Sequence, residues 1–357
     1  MSSRRFSERR ARRVGYCLLT LSLVVIAILL GGAAGAQVSE GKPASILMLP
    51  LLVVDAQHDA LIQVTNTSRN RRFAHCFYID GTSWQQTSFD LTLNAQQPTH
   101  WVLSRGRQVD ASDPPCSPTN ADCDAAGVDP GLVPPMLPGF RGELLCVEVE
   151  QSGFPIGGNA LVGVVSLTDV TTGDVASYPA IGLSGFDTSN LDGTLCLGGG
   201  VSDTCPFGAE YSGCPQTWTL NHLADGTPDA LAGSGSSVQT TLTVVPCAHD
   251  LLNSVPQPAV LQLFVFNQLE QRFTMSTSVN GWAERHLADI SNVFTRGVIG
   301  TDYLQTRVTD ANGGVMLLGR EIRSSGGAQP VSTSAALPLH PETTFAGGEV
   351  IVLPPQF

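Results

Sequence analysis

Lysine is almost absent from this 357-residue chain: Lys42 is the only one among 19 basic residues, set against 31 acids. Charged residues make up 14% of the sequence and aromatics 6%. Without clustered lysine and arginine there is little to neutralise phosphates, so nucleic acid is excluded as a partner, and an anionic membrane surface is disfavoured. No apolar run after Leu30 is long enough to cross a bilayer as a helix. Strongly helical stretches are scarce. The common catalytic signatures are missing too: no H-E-x-x-H helix, no Walker loop and no G-x-G-x-x-G between a strand and a helix. Gly182-Leu183-Ser184-Gly185 lacks the second glycine of a nucleophile elbow.

The first 36 residues are the exception to this even composition. Arg4, Arg5, Arg9, Arg10, Arg12 and Arg13 precede an uncharged apolar run from Val14 to Leu30, and Ala34-Gly35-Ala36 has the small-residue form that signal peptidase cleaves. Residues 1–36 are therefore expected to be a signal peptide, with Gln37 starting the exported chain. From Gln37 onward there are 13 basic and 30 acidic residues, a formal charge of −17. That charge favours solubility.

What remains is rich in glycine, proline and short apolar stretches. The 42% hydrophobic fraction is enough to build real cores. Phe73, His75, Phe77 and Ile79 alternate with Ala74, Cys76 and Tyr78; Phe273, Met275, Thr277 and Val279 alternate with Thr274, Ser276 and Ser278. Period-two alternation is the mark of strands, because successive side chains point to opposite faces. These segments also suggest an internal repeat. Ile46–Pro50, Ala60–Asn66, Arg72-Phe73 and Asp80-Gly81 with Trp84 match Leu242–Pro246, Ala259–Asn267, Arg272-Phe273 and Asn280-Gly281-Trp282 in order. Gly142–Val149 and Leu161–Leu167 similarly match Gly300–Val308 and Val315–Ile322. Asp80-Gly81 and Asn280-Gly281 read as hairpin turns.

The expected fold is all-β, with two tandem, related β-sandwich domains of Ig-like or jelly-roll-like form: residues 37–187 and 237–357. Residues 188–236 are expected to be a Gly/Cys-rich insert and linker. Residues 105–140 are expected to be a long disulfide-pinned loop in the first domain. Long ordered loops often carry function, so these two segments are the first places to seek a site.

Cys17 belongs to the expected leader, which leaves eight cysteines. In an exported chain an even number reads as disulfides. Cys116 and Cys123 bracket a short loop and are expected to close it. Cys196, Cys205, Cys214 and Cys247 are expected to form two bridges of undetermined pairing, which leaves Cys76 for Cys146. Spacings of nine and nine, without C-x-x-C, do not suit zinc.

For metal chemistry, Asn120, Asp122, Asp124 and Asp129 form a calcium candidate, oxygen ligands at alternate positions. The glycine and closing glutamate of a calcium loop are missing, which favours a solvated acidic loop. His75 reads as a core histidine, and Trp84 and Trp282 as packing residues rather than sugar platforms. No cofactor is expected.

The stretches Gly142-Glu143-Leu144-Leu145-Cys146-Val147-Glu148, Leu195-Cys196-Leu197-Gly198-Gly199-Gly200 and Cys214-Pro215-Gln216-Thr217-Trp218 resemble uncharacterised exported β-rich proteins of environmental bacteria. The resemblance implies export and carries over no functional residue. The leading expectation is a non-enzymatic structural, adhesive or ligand-binding protein of the periplasm or cell surface, with a protein or glycan as partner. Two alternatives stand beside it: a carbohydrate-active or other hydrolase using acids on the two long loops, and a calcium-stabilised surface attachment module.

Overall fold

The computed structural model describes residues 39–109, 128–186, 192–228, 235–325, 332–337, 339–342 and 345–354. The expected leader and the expected Cys116–Cys123 loop lie outside them. The described chain is built from short strands in five sheets. One sheet orders β1 (Ser39–Glu40), β10 (Ile181–Leu183), β2 (Ile46–Val53), β7 (Arg141–Val149), β4 (Arg72–Asp80) and β5 (Gln86–Leu93). A second orders β6 (Pro98–Val102), β3 (His58–Asn66), β8 (Leu161–Asp169) and β9 (Val175–Pro179). In a third, β17 (Ala283–His286), β13 (Ser237–Pro246), β19 (Val315–Ser324) and β20 (Ser332–Leu337) lie side by side. The fourth runs β16 (Arg272–Asn280), β15 (Pro258–Asn267), β18 (Tyr303–Asp310), β12 (Thr217–Leu223) and β21 (Leu339–Pro341). A small fifth sheet joins β11 (Thr194–Leu197), β22 (Glu349–Val352) and β14 (His249–Asp250). No helix among the described residues is long and apolar enough to cross a membrane.

The strands follow from their side chains. Strand β2, Ile-Leu-Met-Leu-Pro-Leu-Leu-Val, is buried at every position, as is β7 after its first residue. They lie next to each other at the centre of the six-stranded sheet, covered on both faces, so an unbroken apolar run replaces alternation. Pro50 has no N–H to give, and the β2–β7 ladder shifts register between Leu49 and Leu52, where it sits. Its carbonyl instead accepts the Trp282 indole N–H at 2.7 Å.

Two tandem, related sandwiches are not what forms. The protein is all-β with three disulfides, and its five sheets sit in one compact unit that takes in every described residue. Five is the blade number of a five-bladed β-propeller. These blades hold six, four, four, five and three strands, gathered from distant stretches of the chain. Strand β2 shows why the halves do not separate: it packs on β3 and β8 and also on β13 and β19.

The repeat is likewise not kept in the strand pairing. Strands β4 and β16 match in sequence, yet β4 leaves β3 for the other sheet and pairs with β5 and β7, whereas β16 closes a hairpin on β15 and is an edge strand. Alternation identifies a strand but does not say which sheet receives it. Asp80-Gly81 does connect a paired β4 and β5, but Asn280-Gly281 carries the chain from β16 to β17, in different sheets. Residues 188–236 carry β11 and β12, the latter an inner strand between β18 and β21.

Candidate functional site

Thr241 of β13 marks the floor of a wide cleft. Its cross-strand neighbours are His286 of β17 on one side and Arg320 of β19 on the other. Glu284, two residues before His286, shares that face of β17 by alternation. The opposite wall comes from the first half of the chain: Arg141 at the start of β7, Gln57 and His58 entering β3, and the β8–β9 turn from Asp169 to Asp174. The cleft has a volume of about 600 Å³.

Its charges are paired with one another. Arg320 Nη2 donates to Glu284 Oε1 at 2.9 Å, while Arg141 Nη1 donates to Glu284 Oε2. The second Nη of Arg141 reaches Asp55 at 3.6 Å, and His58 Nδ1 meets the same carboxylate at 2.9 Å. Burial alone would raise the Asp55 pKa, but the Gln57 amide and the His58 ring and amide hold it below the ordinary value. The Thr171 hydroxyl, with the Thr172 and Thr171 amides, brings Asp169 down to about 2. Asp174 Oδ2 accepts the Ser334 amide at 2.5 Å, tying the turn to β20. Around these pairs stand the hydroxyls of Thr171, Thr172, Thr241, Thr333 and Ser334. The cleft thus offers many hydrogen-bonding groups, and its arginines are paired with Glu284. A general acid needs a carboxyl held protonated near neutrality. Both Asp55 and Asp169 are shifted the other way.

Carboxyls with raised pKa sit elsewhere. Burial lifts Glu148 to about 7 against the Ala160 amide and Arg72, and lifts Glu349 to about 7 against the Gly314 amide. Both are enclosed by backbone: a Cβ on Gly158 would come within 2.1 Å of Glu148 Oε1, and one on Gly314 within 2.9 Å of Glu349 Oε2. His249 is buried beside Glu143, Nε2 to Oε1 at 2.9 Å, with Nδ1 3.1 Å from the Cys247 carbonyl. Burial opposes its protonation, but the Glu143 charge wins and its pKa is raised. Cys214, Cys247 and Glu349 place ligand-type atoms close together, yet the two sulfurs are joined to each other and hold no ion.

Cys76 and Cys146 are bonded across β4 and β7, where they are direct cross-strand partners. The insert cysteines pair as Cys196–Cys205 and Cys214–Cys247. Of the calcium candidate, Asn120, Asp122 and Asp124 lie outside the described residues, as do Cys116 and Cys123. Asp129 is buried, its two oxygens taken by Arg107 at 2.6 and 2.9 Å. His75 is half-buried and meets Asp90 at 2.5 Å. Trp101, Trp218 and Trp282 are buried with their indole N–H groups bonded to Tyr78, Val315 and Pro50, and none of the four tryptophans lines the cleft. Neither long loop lines it among the described residues. The cleft's residues come from β3, β7, β13, β17, β19 and β20 and from the β8–β9 turn, elements scattered along the chain.

Fold and site together define an all-β, disulfide-bonded protein with a polar cleft. No family model matches the chain, and no curated protein matches it. Among solved structures it is similar to the Thermotoga maritima 1070 crystal structure at 9% identity and a TM-score of 0.23, covering 39% of this chain and 93% of that one. It is also similar to the PBSX exported protein XepA at 10% identity and a TM-score of 0.18, covering 80% of this chain and 87% of the other. At such scores neither likeness carries an argument.

Proposed function

We propose that the protein is an exported, non-catalytic binding protein of the periplasm or cell surface, and that the cleft holds a small neutral polyhydroxyl ligand such as a saccharide. The observation that carries this reading is the composition of the cleft. Its two guanidinium groups are spent on Glu284, its Asp169 and Asp174 carboxylates accept from Thr171, Thr172 and Ser334, and hydroxyls make up much of the rest. An anionic ligand would have to break an existing pair, whereas a polyol can exchange hydrogen bonds with water at little cost. Three disulfides suit an oxidising compartment.

Calorimetric titration with neutral mono- and disaccharides tests the reading. Saturable binding is expected, weakened about tenfold by Thr241→Val, in line with one lost hydrogen bond of roughly 1.4 kcal/mol. Absence of saturable heat with every neutral saccharide, or hydrolysis of one during the titration, overturns it.

A further inference from the structure

Beside the cleft, farther along β19 and β20, opens a recess of about 260 Å³. Strand geometry explains why the two abut. Leu318, Arg320 and Ile322 share one face of β19, and Ser334 and Ala336 share one face of β20. Ile322 pairs with Ser334 and Arg320 with Ala336. Arg320, Ile322 and Ser334 line the cleft, while Leu318 and Ala336 line the recess, a step of two residues or roughly 7 Å along each strand. The facing wall makes the same change: Asp174 borders the cleft, and Tyr178, four residues on, borders the recess.

The character of the lining reverses over that short distance. Ile181, Leu318, Leu337 and Pro50 join Tyr178 around the recess, and no charged side chain lines it. The Tyr178 hydroxyl is already committed to the Leu51 carbonyl and amide, and the Ser177 hydroxyl to that of Ser166 at 2.8 Å. A wet, hydroxyl-rich cleft that continues into a dry recess on one sheet face is complementary to an amphiphile.

We propose that the site takes an uncharged polyhydroxyl head carrying a short linear aliphatic tail, with the head in the cleft and the tail in the recess. This rests on the reading of the cleft as a binding site. The head is uncharged because the charged groups are already engaged: Arg141 and Arg320 by Glu284, His58 by Asp55, Asp169 by Thr171 and Thr172, and Asp174 by Ser334. Asp169 and Asp174 would in addition repel an anion. The tail is apolar because nothing in the recess could replace the water lost by a polar one.

The test is calorimetric titration of the exported chain with methyl, butyl, hexyl and octyl glucoside, each below its micellar concentration, and with octanoate. Affinity is expected to rise about fourfold per methylene until the recess is full, the factor corresponding to burial of one CH₂ group. Ala336→Leu, which fills the recess, is expected to abolish that rise and leave methyl glucoside binding unchanged. Ser177→Leu serves as a second filler at an exposed position if Ala336→Leu melts early. Equal affinity for methyl and octyl glucoside overturns the amphiphile proposal and leaves the cleft reading standing. No binding of any glucoside removes both. A chain-length dependence that survives both fillers places the tail elsewhere, and tighter binding of octanoate than of octyl glucoside rules out the uncharged head.

Discussion

At the scale of single residues, the molecule places several ionisable groups where water cannot reach them. Glu143 is fully buried and His249 nearly so, and the two meet at 2.9 Å. Both imidazole nitrogens face acceptors, the Glu143 carboxylate and the Cys247 carbonyl, which is the arrangement of an imidazolium. Removing one partner leaves the other charge uncompensated, so His249→Leu is expected to cost about 3–5 kcal/mol, and Glu143→Leu combined with His249→Leu to recover most of it. Because the folded His249 pKa lies above 6.5, the pair's contribution is complete below pH 6.5 and is lost as pH rises through the folded value. Chemical denaturation of the wild type and the single variant across pH checks this, and their stability difference should shrink on the alkaline side. A difference that grew there would contradict the assignment. Nothing in the sequence marks Glu143 or His249 as partners: 106 residues separate them, and each is unremarkable in its own strand.

Among the elements, the turns that follow β4 and β16 interlock. A Cβ on Gly81 would lie 2.2 Å from Trp282 Cε3, and one on Gly281 1.8 Å from Trp84 Cζ2. Gly281 also has φ of +71°, while Gly81 is glycine for closeness alone. Gly281→Ala is therefore expected to lower stability by about 3 kcal/mol or more, through left-handed strain plus collision with the Trp84 ring. At Gly173, φ is +75° and nothing lies within 4 Å, so Gly173→Ala should cost only about 1–2 kcal/mol. Thermal melts of the two variants separate ring contact from backbone strain. The sequence was legible here to a definite depth. Alternation found β4 and β16, the repeat added β3 and β15, and oxidising chemistry pointed to Cys76 with Cys146. Destination sheets were not legible, because the link 67–71 between β3 and β4 and the link 268–271 between β15 and β16 look alike in length and polarity. One crosses to another sheet and the other turns back on itself. The cleft was hidden for the same reason, since Arg141, Glu284 and Arg320 meet only once the sheets are arranged.

For the whole molecule, the connections across the seam outnumber what a pair of linked domains would need. Trp282 bonds to Pro50, Gln86 to the Leu251 carbonyl at 2.6 Å, Arg141 to Glu284, Asp174 to Ser334, and His249 to Glu143. Burying these contacts ties the stability of one half to that of the other. Scanning calorimetry is expected to show one cooperative transition, with calorimetric and van't Hoff enthalpies in agreement. Two resolved peaks would mean that the halves melt independently. Reduction should lower the transition temperature, most through loss of Cys76–Cys146, whose 70-residue separation confines the unfolded chain more than separations of 33 or nine.

The cleft draws its walls from both sides of that seam, with His58, Arg141 and Asp174 facing Glu284, Arg320 and Ser334. A guest lodged there acts as a rivet through two plates, holding in the heat what would otherwise come apart. Candidate compounds can therefore be ranked by melting point alone: at a concentration one hundred times its dissociation constant, a true occupant adds about 2.7 kcal/mol of resistance.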